Sequence, residues 1–244
     1  MVWKIILWAL LAISALFVAY ILLIVVSSLF VDKTKEYKKN SKYFRFLLNS
    51  STALAVKVIR IQIKVTGKDK LPKGRFLLVS NHRSKFDPIL TWHIFAKHNL
   101  AFISKFENFD VPIYGNIIKK CCFMGIDREN PRKAAKTIIN SVELIQSDEC
   151  SVAVYPEGTR NYGDGLLPFH NMVFKIAKRA EVPVVVLAVR GTYDIQKNFP
   201  KRKSVVNMDV VSVLSTETVK ELSTAELGET VRKAILLKTE GTYE

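Results

Sequence analysis

The chain is predicted to be an α/β protein: one domain on a mostly parallel sheet flanked by helices, preceded by a membrane helix and a second, amphipathic helix. Three observations predict this. Residues 5–31 carry no charged side chain. From about residue 67, short apolar runs rich in Val, Leu and Ile alternate with segments of helical periodicity. No internal repeat or flexible linker divides that region. The 244 residues therefore read as an anchor, 1–66, followed by one domain, 67–244.

The apolar run of 5–31 would extend about 40 Å as a helix, against a hydrocarbon core of roughly 30 Å, so it is long enough to span with tilt. It exceeds the apolar core of a secretory signal, and no small-x-small cleavage site follows it. Lys4 flanks it on one side; Lys33, Lys35, Lys38, Lys39, Lys42 and Arg45 flank the other. That asymmetry places everything after residue 31 on the cytoplasmic side, and the same cluster would attract anionic lipid. Residues 43–63 form the amphipathic helix, with Phe44, Leu47, Leu48, Val56 and Ile59 interrupted by Arg45, Lys57 and Arg60. Its pattern fits a helix lying on the membrane surface, one packed on the domain, or one arm of a hairpin dipping into a single leaflet.

Strands are expected at 76–80, 151–155, 182–189 and 205–214, each a run suited to a buried sheet. Helices are expected at 88–97, 131–146, 169–180 and 224–237, the last capped by Ser223 or Thr224. Composition narrows the partners. Lys and Arg number 37 against 22 Asp and Glu, a formal net charge of +15, which calls for an anionic partner: nucleic acid, phospholipid or a phosphorylated substrate. At 49% hydrophobic the chain is too apolar for disorder. Cys121, Cys122 and Cys150 are too few for a disulfide scaffold and read as reduced thiols. No Cys/His metal cluster, P-loop, GxGxxG or GxSxG elbow is present.

Two segments carry chemistry. Asn81-His82 follows the first strand of the domain, and Asp87-Pro88 opens the next helix, with Asp87 as its expected cap. A carboxylate five residues on can hold one imidazole nitrogen while the other accepts a proton. Such loops lie at the carboxyl ends of strands, where α/β sheets bind ligands. The second segment, Tyr155-Pro156-Glu157-Gly158-Thr159-Arg160, ends another strand. There Gly158 permits a tight turn and Arg160 can clamp a phosphate with two parallel hydrogen bonds. Taken singly, each segment also fits an ordinary cap or turn.

Together, Asn81-His82…Asp87 and Pro156-Glu157-Gly158-Thr159-Arg160, with Ile126-Asp127-Arg128, Val182-Pro183-Val184-Val185 and Lys105, resemble the blocks of the glycerolipid acyltransferase family, in particular its lysophosphatidate acyltransferases. The likeness covers about residues 67–240. It implies an acyltransferase domain that moves a fatty acyl group from a thioester (acyl-CoA or acyl-carrier protein) to the sn-2 hydroxyl of lysophosphatidate, at a membrane, without metal, nucleic acid or a cofactor beyond the co-substrate. It further implies His82 as general base oriented by Asp87, no covalent acyl-enzyme, and substrate binding by Lys105, Arg128, Glu157, Gly158, Thr159 and Arg160. Cys122, Gly125, Asn161, Met172 and Val186 depart from the usual blocks. Competing classes are a hydrolase using Ser80 or Ser84 as nucleophile, and a basic lipid-binding protein.

Overall fold

The structure, a computed structural model, describes residues 1–240; residues 241–244 of the expected domain lie outside them. The chain begins with α1 (Val2–Leu29) and α2 (Lys42–Val58). Seven strands then form one sheet among the described residues: β1 (Ile61–Thr66), β2 (Leu77–Ser80), β3 (Ala101–Ser104), β4 (Met124–Gly125), β5 (Val152–Val154), β6 (Val184–Arg190) and β7 (Ser204–Leu214), in the order β1-β7-β6-β2-β5-β3-β4. All neighbours are parallel except β6 and β7. Between the strands lie α3 (Phe86–Ile94), α4 (Tyr114–Lys120), α5 (Pro131–Gln146), α6 (Phe174–Ala180) and α7 (Ile195–Asn198), with α8 (Thr216–Glu221) and α9 (Thr224–Thr239) after β7.

The sheet is buried on both faces, as parallel sheets require. Side chains alternate along each strand. Leu78, Ala153, Val185 and Leu187 meet Leu47 and Leu48 of α2, Leu90 and Trp92 of α3, and Ile117 and Ile118 of α4. Leu77, Val79, Val152, Val154 and Val186 meet Ile138 and Val142 of α5, Ile176 of α6 and Val231 of α9. Caps fix two helices where the sequence puts them. Asn130 accepts from Lys133 N–H with Pro131 behind it, and Ser223 and Glu226 form a reciprocal capping box.

Four expectations change. The helix expected over 43–63 stops at Val58, and Ile61–Thr66 is a strand paired with β7. Alternation of Ile61, Ile63 and Val65 with polar residues has period two, and Arg60 turns the chain at φ 61°. The sheet therefore starts inside the segment expected to be only an anchor. Asp87 lies within the first turn of α3 rather than capping it, because its carboxylate reaches back into the preceding loop. Arg45 is no part of a lipid-facing cluster. It is 5% exposed, lies 4.5 Å over the Trp92 ring, and donates to Asn40 Oδ1 (2.6 Å), Leu100 O (3.0 Å) and Cys121 O (3.1 Å). Burial lowers its pKa, yet these acceptors keep α2 riveted to the domain. Finally, Lys35 and Lys38 of the basic cluster pair with Asp32 and Glu143.

After Lys4, α1 carries no charged residue, and only its last third touches the domain, with Ile24 and Ser28 buried. Tyr20 and Ser27 hydroxyls meet those of Ser50 and Tyr43 at 2.7 and 2.6 Å, so α1 and α2 run antiparallel. The three cysteines are free and buried.

Candidate active site

Strand order assembles the site. β2, β5, β3 and β4 are consecutive neighbours in the sheet, so the segments leaving their carboxyl ends lie side by side. These are the His82 loop, the Glu157–Arg160 loop, Lys105 and Arg128. Asn81 locks the first of them. Its amide donates to Val189 O at 2.9 Å and accepts from Val189 N–H at 2.8 Å, joining the end of β2 to β6.

His82 Nδ1 lies 2.8 Å from Asp87 Oδ2. The same oxygen accepts the N–H groups of Arg83 and Ser84, each at 2.7 Å, so Asp87 curls the loop around itself and is fully buried. The imidazole is stacked on Tyr155, ring centroids 4.4 Å apart, and its side chain keeps 18% exposure. With Nδ1 engaged, Nε2 is the nitrogen left for chemistry. Tyr155 lies partly buried beneath it, and burial of its hydroxyl, reinforced by the charge of Asp87, pushes the hydroxyl pKa well above the ordinary value.

His82 opens into a cleft of about 510 Å³. Lys105, Arg128, Gly158, Thr159 and Arg160 line it together with Lys85, Phe86, Ile89, Phe102, Phe123 and Tyr155. The cleft is thus cationic at its rim and aromatic within. Gly158 has φ +74°, and the place of a Cβ there is taken by the His170 ring at 2.9 Å with Arg128 Cζ at 3.5 Å. A side chain at 158 would both strain the turn and collide with the His170 ring. Arg128 stays exposed at the rim, and partial desolvation of its guanidinium depresses its pKa from the ordinary arginine value; Glu107 opposes that. It also borders a second, largely apolar cavity of about 470 Å³ beside His170 and Met172.

Glu157 departs from the substrate-binding place expected of it. It is 3% exposed, lies outside the cleft lining, and its two oxygens accept His82 N–H at 2.8 Å and Leu167 N–H at 2.9 Å. Burial raises its pKa, and those two N–H groups pull against the rise. A further tie, Asn161 N–H to His82 O at 2.8 Å, fastens the same two loops. The remaining expected site residues all border the cleft, except Asp87, which supports it from behind. The serine nucleophiles do not: Ser80 is buried, and the Ser84 hydroxyl accepts Phe86 N–H. Lys85 and Tyr155 were legible only as neighbours of the two segments; nothing local marked their facing the cleft. His93 and His98 lie apart from it, and burial lowers the pKa of both.

Comparison with known proteins places the chain in a family. The family model described as Acyltransferase matches residues 62–190. A 1-acyl-sn-glycerol-3-phosphate acyltransferase of Saccharomyces cerevisiae is 25% identical over 181 residues, 72% of this chain and 59% of that protein. Enzymes of the same description from Limnanthes douglasii and Escherichia coli are 29% and 30% identical, covering 57% and 49% of this chain and 49% and 48% of theirs. The match thus spans about half the length of these curated relatives. The crystal structure of the 1-acyl-sn-glycerophosphate (LPA) acyltransferase PlsC from Thermotoga maritima shares the fold, with a TM-score of 0.68 at 21% identity over 90% of this chain and 86% of that one.

Proposed function

The chain belongs to the acyltransferase family, and from that premise we propose that it transfers a fatty acyl group from an acyl thioester to the sn-2 hydroxyl of lysophosphatidate, giving phosphatidate. The observation that carries this reading is the His82–Asp87 pair, 2.8 Å apart, at the head of a cleft rimmed by Lys105, Arg128 and Arg160. An alcohol is a poor nucleophile at neutral pH. His82 Nε2 takes the hydroxyl proton as the oxygen attacks the thioester carbonyl. Asp87 holds Nδ1–H and stabilises the imidazolium that forms. The tetrahedral intermediate collapses, the C–S bond breaks, and the imidazolium returns its proton to the departing thiolate. No covalent acyl-enzyme arises. Arg128 and Arg160 grip the substrate phosphate, for which a guanidinium fork is the matching shape, with Lys105 adding charge. Acyl-CoA and acyl-carrier protein are both anionic and both suit the rim.

In this reading α1 enters the bilayer. Residues 2–19 stand clear of the domain, about 27 Å of helix, close to the roughly 30 Å hydrocarbon thickness. The lysines that follow support the cytoplasmic side for the domain.

The test is to incubate membranes bearing the full chain with labelled acyl thioester, with and without lysophosphatidate. A two-chain lipid that depends on lysophosphatidate supports the reading. Free fatty acid alone would mean hydrolysis, and no turnover would mean a binding protein.

A further inference from the structure

The His82 imidazole is held at its edge and on its face, and both holds lead back to one helix. At the edge, Nδ1 lies 2.8 Å from Asp87 Oδ2. On the face, Tyr155 is stacked at 4.4 Å between centroids, with 23° between the planes. The Tyr155 hydroxyl donates to Thr91 Oγ1 at 3.3 Å. Asp87 and Thr91 stand four residues apart on α3, and both are fully buried. Such a pair lies on one face of a helix, one turn apart. α3 therefore reaches the ring directly through Asp87 and at one remove through the Tyr155 hydroxyl.

Tyr155 is itself backed by the core. Side chains alternate along a strand, so Tyr155 follows Ala153 on the same side of the sheet, and both belong to the same apolar cluster. Ala153 is paired with Phe102 of β3, and the Phe102 ring lies against Tyr155 at 6.1 Å and 20°. Phe102 is buried, with Trp92 at 6.4 Å and Phe123 at 5.2 Å. His82, Tyr155 and Phe102 thus form a column of near-parallel rings that rises from the core and ends at the cleft. Strand pairing and packing fix its lower members before the imidazole is added.

The column supplies what the carboxylate alone does not. A hydrogen bond at Nδ1 pins one point of the ring and tolerates a wide range of angles about it. Tilting about that point swings Nε2, the proton-accepting atom, out of line with the attacking hydroxyl. A flat ring packed on the face opposes the tilt. The same face is electron-rich, so it favours a cation lying over it.

We infer that Tyr155 is a positioning residue for acyl transfer: its ring face holds the His82 imidazole in line and stabilises the imidazolium, and Thr91 anchors that ring. This rests on the reading of His82 as the general base. The hydroxyl of Tyr155 takes no part in the proton transfer, because it is turned onto Thr91. The competing role is a wall of the substrate site, since Tyr155 also lines the cleft. The two roles differ in which kinetic constant they move.

The test is a double-mutant cycle in the full chain, in membranes. Tyr155→Leu removes the face. Tyr155→Phe keeps it and drops only the hydroxyl. His82→Ala removes the group through which the face acts. Tyr155→Leu should lower kcat by about 10–100-fold, with KM for lysophosphatidate and for the acyl thioester within about threefold. Tyr155→Phe should keep kcat within about threefold of the parent. In the His82→Ala background, Tyr155→Leu should cost less than about twofold, because the base it positions is gone. Tyr155→Met, apolar and flexible, gives the same comparison if the leucine variant does not fold. Equal loss in both backgrounds would overturn the inference. So would a raised KM at parental kcat, which marks a cleft wall, or a Tyr155→Phe variant as slow as Tyr155→Leu, which marks the hydroxyl. Parental turnover in Tyr155→Leu beside a crippled His82→Ala protein would sink the inference and leave the base assignment standing. Parental turnover in His82→Ala would remove both.

Discussion

Glu157 holds His82 by the backbone, not by the side chain. Its Oε1 accepts His82 N–H at 2.8 Å while Oε2 accepts Leu167 N–H at 2.9 Å, so one buried carboxylate fastens loops 75 residues apart. Glu157→Gln can satisfy one of these donors and turns an N–H₂ on the other. The expected result is a fall in kcat of about 10-fold or more with KM for lysophosphatidate within about twofold, since a buried donor left unmatched costs about 1–3 kcal/mol. A rise in KM at constant kcat would return Glu157 to substrate binding.

His82→Ala should lower kcat by about 10²–10⁴-fold with the fold and membrane association intact. Asp87→Asn should impair turnover and also stability, because Oδ2 serves three partners at once: the ring, Arg83 N–H and Ser84 N–H. Steady-state rates and thermal unfolding in detergent measure the two effects. Normal turnover in folded His82→Ala protein would remove it as the base.

Arg160 and Arg128 border the same cleft. Arg160→Lys loses the planar fork but keeps the charge, so KM for lysophosphatidate should rise about tenfold, with a smaller change for the acyl donor. A lyso-lipid without phosphate should be a poor substrate for the parent and lose little more in the variant. Equal loss across all acceptors would show Arg160 to be structural.

Arg45→Lys tests the rivet between α2 and the domain. A lysine cannot reach Asn40, Leu100 O and Cys121 O together. The variant should be less stable by about 2–4 kcal/mol in urea titrations of detergent-solubilised protein, with KM for both substrates unchanged. Undiminished stability would mean that the apolar face of α2 alone secures it.

Asp209 sets an acid limit. Burial works to raise its pKa, but the Thr66 hydroxyl at 2.5 Å, Arg190 at 2.8 Å and Lys238 at 3.7 Å outweigh burial and hold the carboxyl below its ordinary value. In the window between the folded and unfolded pKa values the unfolded chain binds more protons, so stability rises with pH there. The contribution is full above about pH 4 and is lost as pH falls through the depressed folded value. Asp209→Asn should lower stability at pH 7 and flatten the acid limb of melting temperature against pH. An unchanged acid limb would show that other carboxylates govern it.

Local patterns in the sequence determined much of this protein. Charge-free residues 5–31 declared the apolar helix. β2, β5, β6 and β7 were legible because runs of buried Val and Leu have no other use, and α5 and α9 because periodicity and caps coincide. His82 and Asp87 stand five residues apart, so their pairing needed only one loop to curl. Tertiary structure decided the rest. β3 and β4 have four and two residues, too few to show a period, and only their pairing beside β5 defines them. That pairing brings Lys105 and Arg128 to the cleft. Arg45 read as one more cation beside a membrane until Leu100, Cys121 and Trp92 closed around it. Glu157 read as a ligand group until the His82 loop arrived to donate to it. Periodicity reports which side of an element is apolar. Which strand lies next to which, and so which charge is buried, follows from pairings between residues far apart in sequence, whose free energy no local window contains.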